Sequence, residues 1–297
     1  MRLKMSGSYQ PSLVGVDSVP ALVDVAWLSQ RLGSPGMALL QVDSDSTVYH
    51  HGHLPTALPL DWCDELQDPQ RRAPVNPHDL GLLLQRKGVQ RDTHVVLYGT
   101  ESGAFAAYAY WLLKYSRHSR VSLLDGGMEA WVHAGNVIVD NPATPPPSVG
   151  YDVPQGDGSV RVGRDELLRR YVHAPDGAVL LDCRTPEEFS GQHRHPLDLQ
   201  FEQHRVAGHI PGSVNLPSGQ LLNPDNTFRS RDELRALFAE HGVVDSSHVA
   251  AYCRVAERSS LVWFALHELL GHPHVQHYDG GWAEYGNLVD VPVERGP

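Results

Sequence analysis

Cysteine is scarce in this chain of 297 residues: Cys63, Cys183 and Cys253 are the whole supply. Three thiols cannot all pair within one chain, which argues against a disulfide framework and for a reducing compartment, so a cytoplasmic protein is expected. Long apolar runs are missing as well. Nowhere do 18 apolar residues follow one another, so no membrane-spanning helix is expected. The opening Met1-Arg2-Leu3-Lys4-Met5-Ser6-Gly7 lacks the apolar stretch of a signal peptide. A basic excess is absent too: 24 Lys and Arg stand against 35 Asp and Glu, a formal net charge of −11. That balance excludes a general nucleic-acid binder, which needs a basic face for phosphates. It leaves room for a small anionic ligand, provided a few arginines and backbone N–H groups build its site locally.

What the chain does have is itself twice. Val95-Val96-Leu97-Tyr98-Gly99 is answered by Val249-Ala250-Ala251-Tyr252-Cys253, and Leu123-Leu124-Asp125-Gly126-Gly127 by His277-Tyr278-Asp279-Gly280-Gly281. The step from Gly99 to Asp125 is 26 residues, and so is the step from Cys253 to Asp279. Gly52-His53-Leu54-Pro55 matches Gly208-His209-Ile210-Pro211, and Leu39-Leu40-Gln41-Val42-Asp43 matches Val179-Leu180-Leu181-Asp182. Four blocks in one order mean one fold used twice. The length suits two domains, expected at residues 20–141 and 158–292. Residues 142–157, opening with Pro142-Ala143-Thr144-Pro145-Pro146-Pro147, read as a proline-rich linker. The second copy carries about 17 extra residues before Gly208, rich in His, Gln and Pro over 192–203 and expected to form a surface excursion.

Short apolar runs at 179–181, 249–252 and 275–278 alternate with helical patterns at 232–240 and 259–270. Buried β-branched runs separated by helices predict α/β units, each an open, mainly parallel sheet with helices on both faces. Ligands in such folds sit beyond the carboxyl ends of the strands. That rule selects the loop opening at Cys253. It reads Cys253-Arg254-Val255-Ala256-Glu257-Arg258-Ser259 and leads into a helix. A thiol there faces unpaired backbone N–H groups and the positive helix end, with two arginines alongside. These influences predict a thiol pKa lowered to roughly 6.5, mostly thiolate at neutral pH. In the first copy Gly99 takes the cysteine's place, and Thr100-Glu101-Ser102-Gly103-Ala104 holds no thiol or arginine. The first copy is expected to be catalytically inactive and to cover the second.

The duplication, the paired Gly-His-x-Pro, the strand-end cysteine loop and Asp279-Gly280-Gly281-Trp282 together resemble the tandem-domain rhodaneses, the thiosulfate and 3-mercaptopyruvate sulfurtransferases. The resemblance spans roughly residues 20–292. It implies that Cys253 carries a persulfide in a ping-pong sulfur transfer, from a small anionic donor to cyanide or a thiol, with no cofactor. By the same resemblance, backbone amides of Val255, Ala256, Glu257, Arg258 and Ser259 line the pocket, and Arg254 and Arg258 orient the donor. Thiosulfate enzymes often open this loop Cys-Arg and mercaptopyruvate enzymes Cys-Gly, so Arg254 leans toward thiosulfate, with mercaptopyruvate the alternative. Two departures bear on the substrate. Ala256 stands where family loops commonly have Gly, a strain if that position needs φ > 0. Glu187 and Glu188 occupy a stretch where thiosulfate enzymes place a further arginine, which weakens attraction for a dianion.

Other readings are open to test. Phosphatases on related folds put five residues between Cys and Arg, whereas four separate Cys253 from Arg258, a loop better sized for a sulfur atom. A non-catalytic binding module is a second alternative. Asp182 and Arg184 are a candidate supporting pair, read first as an ion pair fixing a strand end. Cys183 follows the same strand and is a candidate partner for a regulatory disulfide with Cys253, against the plainer reading of a buried, inert thiol. The histidines of His50-His51-Gly52-His53 and His272-Pro273-His274 with His277 lack ligand spacing with cysteine or carboxylate, so no metal is expected.

Overall fold

A computed structural model of the chain describes residues 19–68, 73–147, 150–172, 177–193 and 204–296. Most of the expected surface excursion, from residue 194 to 203, lies outside the described residues.

The apolar runs become parallel strands. In the first half β1 (Leu22–Val23), β2 (Met37–Asp43), β3 (Leu58–Asp61), β4 (His94–Tyr98) and β5 (Val121–Leu124) form a sheet of order β1-β5-β4-β2-β3. In the second half β6 (Ala178–Asp182), β7 (Ser213–Asn215), β8 (His248–Tyr252) and β9 (Val275–His277) form the order β7-β6-β8-β9. Every strand pairing in both sheets is parallel. The connecting helices are α1 (Val25–Ser29), α2 (Trp62–Glu65), α3 (Pro77–Arg86), α4 (Ala104–Tyr115) and α5 (Gly127–His133), then α6 (Arg164–Arg170), α7 (Pro186–Ser190), α8 (Arg231–Glu240), α9 (Glu257–Phe264) and α10 (Gly281–Tyr285).

Alternate strand residues serve opposite faces, which is why the strands read as continuous apolar runs. On β4, Val95 and Leu97 pack with α3 and α4, while Val96 and Tyr98 pack with Leu28 of α1 and Trp131 of α5. On β8, Val249 and Ala251 face Leu234 and Leu237 of α8 and the apolar side of α9. Ala250 and Tyr252 face Leu167 of α6 and Trp282 of α10. The α4 and α9 faces merge into one core that runs between the sheets. There the Tyr110 ring meets Phe264 edge-on at 4.8 Å, and Trp111 Nε1 donates to the Val160 carbonyl at 3.1 Å. Tyr108, Tyr110, Trp111, Trp263 and Phe264 are thus core and inter-unit packing.

The repeated motifs do the same work twice. His53 hydrogen-bonds through Nδ1 to the Tyr49 carbonyl and stacks on the Tyr49 ring at 3.7 Å; His209 does both with Phe189, again at 3.7 Å. The hydroxyl of Tyr98 accepts from the Leu54 N–H as that of Tyr252 accepts from Ile210.

One boundary differs from the sequence reading. The helix expected from residue 259 begins at Glu257, and it passes into a π turn at Ala265–Leu269. The cause is Ala256, whose left-handed backbone (φ 83°) turns the chain into the helix early.

Candidate active site

Cys253 follows the last residue of β8, and only Arg254, Val255 and Ala256 separate it from Glu257, the first residue of α9. The loop is held from outside by α10: Trp282 N–H donates to the Cys253 carbonyl at 2.8 Å and Ala283 N–H to the Arg254 carbonyl at 3.0 Å. Gly281 makes this approach feasible. It sits at φ 56°, and a Cβ there would collide with the Arg254 carbonyl. Gly127 meets Gly99 in the same way at φ 53°, with Met128 N–H on the Gly99 carbonyl. The geometry therefore equates Gly99 with Cys253.

The Cys253 sulfur is fully buried and donates to Glu257 Oε2 at 3.4 Å. The Ser259 hydroxyl, on the same turn, donates to the Ala256 carbonyl at 3.1 Å. Burial and the Glu257 carboxylate push the thiol up to about 11, against the opposing pull of Arg258 and Ser259. This reverses the depressed pKa expected from the loop's arginines and helix end. The reason is the closeness of Glu257, a like charge in the first turn of α9, combined with exclusion of water. At rest the site holds a thiol with a carboxylate acceptor in place.

Arg258 stands differently from the expectation that it is at liberty to orient a donor. Its Nη1 and Nη2 fork onto Glu188 Oε2 and Oε1 at 2.6 and 3.1 Å, and its Nε donates to Glu257 Oε1 at 3.1 Å. Glu188 comes from α7, where it also closes a capping box with Thr185. Glu187, its neighbour, is exposed. Burial would raise the Glu188 pKa, but the hydrogen bonds and charge of Arg258 overcome it and hold the carboxyl at about 2. A folded pKa below the unfolded one stabilises above the ordinary carboxylate range and is lost as pH falls through the folded value. Glu188→Gln is therefore expected to lose stability at pH 7, with the gap to wild type narrowing as pH drops from about 4.5 toward 2. Urea midpoints across that range check it.

Arg254 is buried, as are Ala256, Glu257 and Ser259. The left-handed Ala256 has the strain the sequence raised as a condition. Ala256→Gly is expected to stabilise by about 0.5–1 kcal/mol, a rise in Tm of about 1–3 °C by calorimetry, because glycine adopts that region without a Cβ clash.

Asp182 and Arg184 are both buried and paired: Arg184 Nε reaches Asp182 Oδ1 at 3.0 Å and Nη2 reaches Oδ2 at 2.6 Å. Arg184 also donates to the Gly208 carbonyl at 2.8 Å and lies over the Trp282 ring at 4.7 Å. Its hydrogen bonds are spent on the strand end and the Gly-His turn. Cys183 and Cys253 both carry free thiols, and each follows one of two register-paired residues, Asp182 and Tyr252. Burial, then the neighbouring Cys253, pushes Cys183 well above the ordinary thiol range. No cluster of metal-ligating groups occurs among the described residues. His272 instead hydrogen-bonds the Val244 carbonyl, and His277 the Ser259 hydroxyl.

Comparison with known proteins places this arrangement. A profile described as "Rhodanese-like domain" matches residues 24–134 and again residues 165–288. The chain belongs to the rhodanese family. This rhodanese is 41% identical over 276 residues to "Sulfur carrier protein TtuD" of Thermus thermophilus, covering 93% of this chain and 96% of that protein. It is 43% identical over 274 residues to a Saccharopolyspora erythraea protein named "Putative thiosulfate sulfurtransferase", covering 92% and 96%. Among solved structures, EanB in complex with ergothioneine superposes with a TM-score of 0.81 at 26% identity, covering 93% of this chain and 70% of that one. The two rhodanese domains carry the two parallel sheets, and the sulfurtransferase family is the frame for the site. No helix among the described residues is long and apolar enough to cross a membrane.

Proposed function

We propose that the protein transfers a sulfane sulfur from a small anionic donor, thiosulfate, to a thiophilic acceptor through a persulfide on Cys253, while the first domain, with Gly99 in the cysteine's place, stays catalytically silent. The observation that carries this reading is a buried thiol at the mouth of a three-residue loop before a helix start, donating to the Glu257 carboxylate at 3.4 Å. As Cys253 attacks the outer sulfur of thiosulfate, its proton passes to Glu257. The new S–S bond takes the sulfur, the donor's S–S bond breaks, and sulfite leaves with that electron pair. Arg258, whose charge favours the ionised sulfur, stabilises the charge on the outer sulfur. Cyanide then attacks that sulfur, leaving as thiocyanate and returning the Cys253 thiolate; a cellular thiol takes the same place in a reducing cytoplasm. The name of the Thermus relative, a sulfur carrier, supports a thiol or protein acceptor.

One observation favours mercaptopyruvate as a second donor. Arg258 is already balanced by Glu188 and Glu257, so this corner of the pocket carries two carboxylates to one guanidinium. That charge suits a monoanion better than a dianion. Steady-state kinetics with each donor, reading sulfite or pyruvate beside thiocyanate, separate the readings. Thiosulfate is expected to give the larger kcat/KM. Turnover on mercaptopyruvate alone would move the donor assignment, and no turnover on either would favour a binding role.

A further inference from the structure

Glu188 and Arg258 stand 70 residues apart, yet α7 and the start of α9 join them in one charge cluster at the Cys253 loop. Arg258 makes three hydrogen bonds there, Nη1 and Nη2 to the two oxygens of Glu188 and Nε to Glu257 Oε1. One guanidinium thus faces two carboxylates. Glu188 is fixed from its own side as well. Its Oε2 accepts the Thr185 N–H at 3.0 Å, and its N–H donates to the Thr185 hydroxyl, so the first turn of α7 sets the direction of the side chain. Against the cost of burial, its bonds to Arg258 hold the carboxyl at about 2, so it is ionised across the neutral range.

The three groups are not equally open. The Arg258 side chain keeps 22% of its exposure, while Glu188 keeps 5% and Glu257 12%. An anion arriving from solvent therefore meets the guanidinium, and feels Glu188 through it. Glu257 also accepts the Cys253 S–H at 3.4 Å, so its charge is tied to the nucleophile. The Glu188 carboxylate is bonded instead to Arg258 and Thr185, which separates its effect on the donor from any contact with the sulfur. Arg184, just past β6, is paired with Asp182 and adds no net charge of its own.

We propose that Glu188 is a specificity-determining residue for donor charge: its buried carboxylate, forked onto Arg258, offsets the guanidinium and holds the preference for a doubly charged donor below what Arg258 alone would give. Glu188 acts as a positioning residue in this, since it reaches the donor through the arginine. The pairing leaves Arg258 oriented while cancelling much of its field on an incoming anion. The inference deepens the sulfur-transfer reading and rests on it where donors are compared. The charge at the Cys253 loop can be read without any donor.

The test compares two alkylating reagents of similar shape, neutral iodoacetamide and anionic iodoacetate, read by mass spectrometry on the peptide that contains Cys253. Both attack the same thiolate, so any change in the thiol pKa cancels in their rate ratio, and the ratio reports charge. Glu188→Gln keeps the length and an oxygen for the Thr185 N–H. It is expected to raise the iodoacetate-to-iodoacetamide ratio on the order of fivefold. Glu188→Met, also uncharged and of similar length, should do the same and serves if the glutamine protein does not fold. Glu187→Gln removes the same charge from the exposed neighbour and should leave the ratio unchanged, because solvent and salt screen that position. Glu188→Asp keeps the charge and should stay near wild type. The ratio of kcat/KM for thiosulfate over mercaptopyruvate should rise in Glu188→Gln by the same order, since those donors also differ by one charge. An unchanged reagent ratio in Glu188→Gln, with both rates altered alike, would make Glu188 a structural residue only and overturn the proposal. An equal rise in Glu187→Gln would overturn it too, by making the effect one of overall charge. A raised reagent ratio with no turnover on either donor would support the charge assignment and count against the sulfur-transfer reading instead.

Discussion

Cys253→Ser should lower sulfur transfer to cyanide by a factor on the order of 10³ or more while leaving the unfolding temperature close to wild type. The serine oxygen fits the space and can still donate to Glu257, so the fold has little to lose. It cannot replace the chemistry. Transfer requires a soft nucleophile that forms an S–S bond and then surrenders the outer sulfur as a good leaving group, and an alkoxide does neither. The Gly99 loop offers no substitute, since its residues 99–104 hold no thiol. Cys63, only partly buried, lies in the first domain, and Cys183 has its pKa raised by burial. Retained turnover in the serine variant, measured as thiocyanate formed per site, would remove Cys253 from the reaction.

The second large effect is on stability. Arg184→Ala should cost about 3–5 kcal/mol, because it strands the Asp182 carboxylate in a site with no solvent access. It also uncovers the Trp282 face and frees the Gly208 carbonyl, each of which Arg184 now occupies. Trp282 in turn holds the Cys253 carbonyl, so the loop should loosen along with the strand end. A charge-free pair, Asp182→Leu with Arg184→Met, should regain at least half of the loss, since the stranded charge is the main cost. Urea midpoints at neutral pH decide the matter. A loss under 1 kcal/mol for Arg184→Ala would mean that the carboxylate finds water or another partner, contrary to the closed geometry.

Much of this architecture is written plainly in the residues. Strands buried on both faces leave continuous apolar runs, so β6, β8 and β9 and the repeat of Asp-Gly-Gly at fixed spacing were legible, and with them the place of Cys253. The equivalence of Gly99 and Cys253 followed from the same spacing. What was not legible depends on distance in space. Glu188 lies 70 residues before Arg258 and was read as a general acidic influence on the pocket. In the fold it is the partner that occupies the arginine. The thiol pKa was misread for a related reason: helix end and arginines are visible in the local sequence, but the depth of burial and the direction of the Glu257 side chain are not. His277 was grouped with possible metal ligands because histidines cluster near it. Only the packing of β9 against the start of α9 reveals the Ser259 contact, and no sequence signal marked it. Ala256 is an intermediate case, since its strain was foreseen as a condition and then met by its left-handed backbone.

The central claim is that sulfur rides on Cys253. Intact-protein and peptide mass spectrometry of wild type and Cys253→Ser after incubation with thiosulfate, before and after cyanide, tests it most directly. The account predicts a gain of one sulfur atom on the Cys253 peptide of wild type alone, erased by cyanide with release of thiocyanate. A stable gain on another cysteine, or an equal gain in the serine variant, would contradict it.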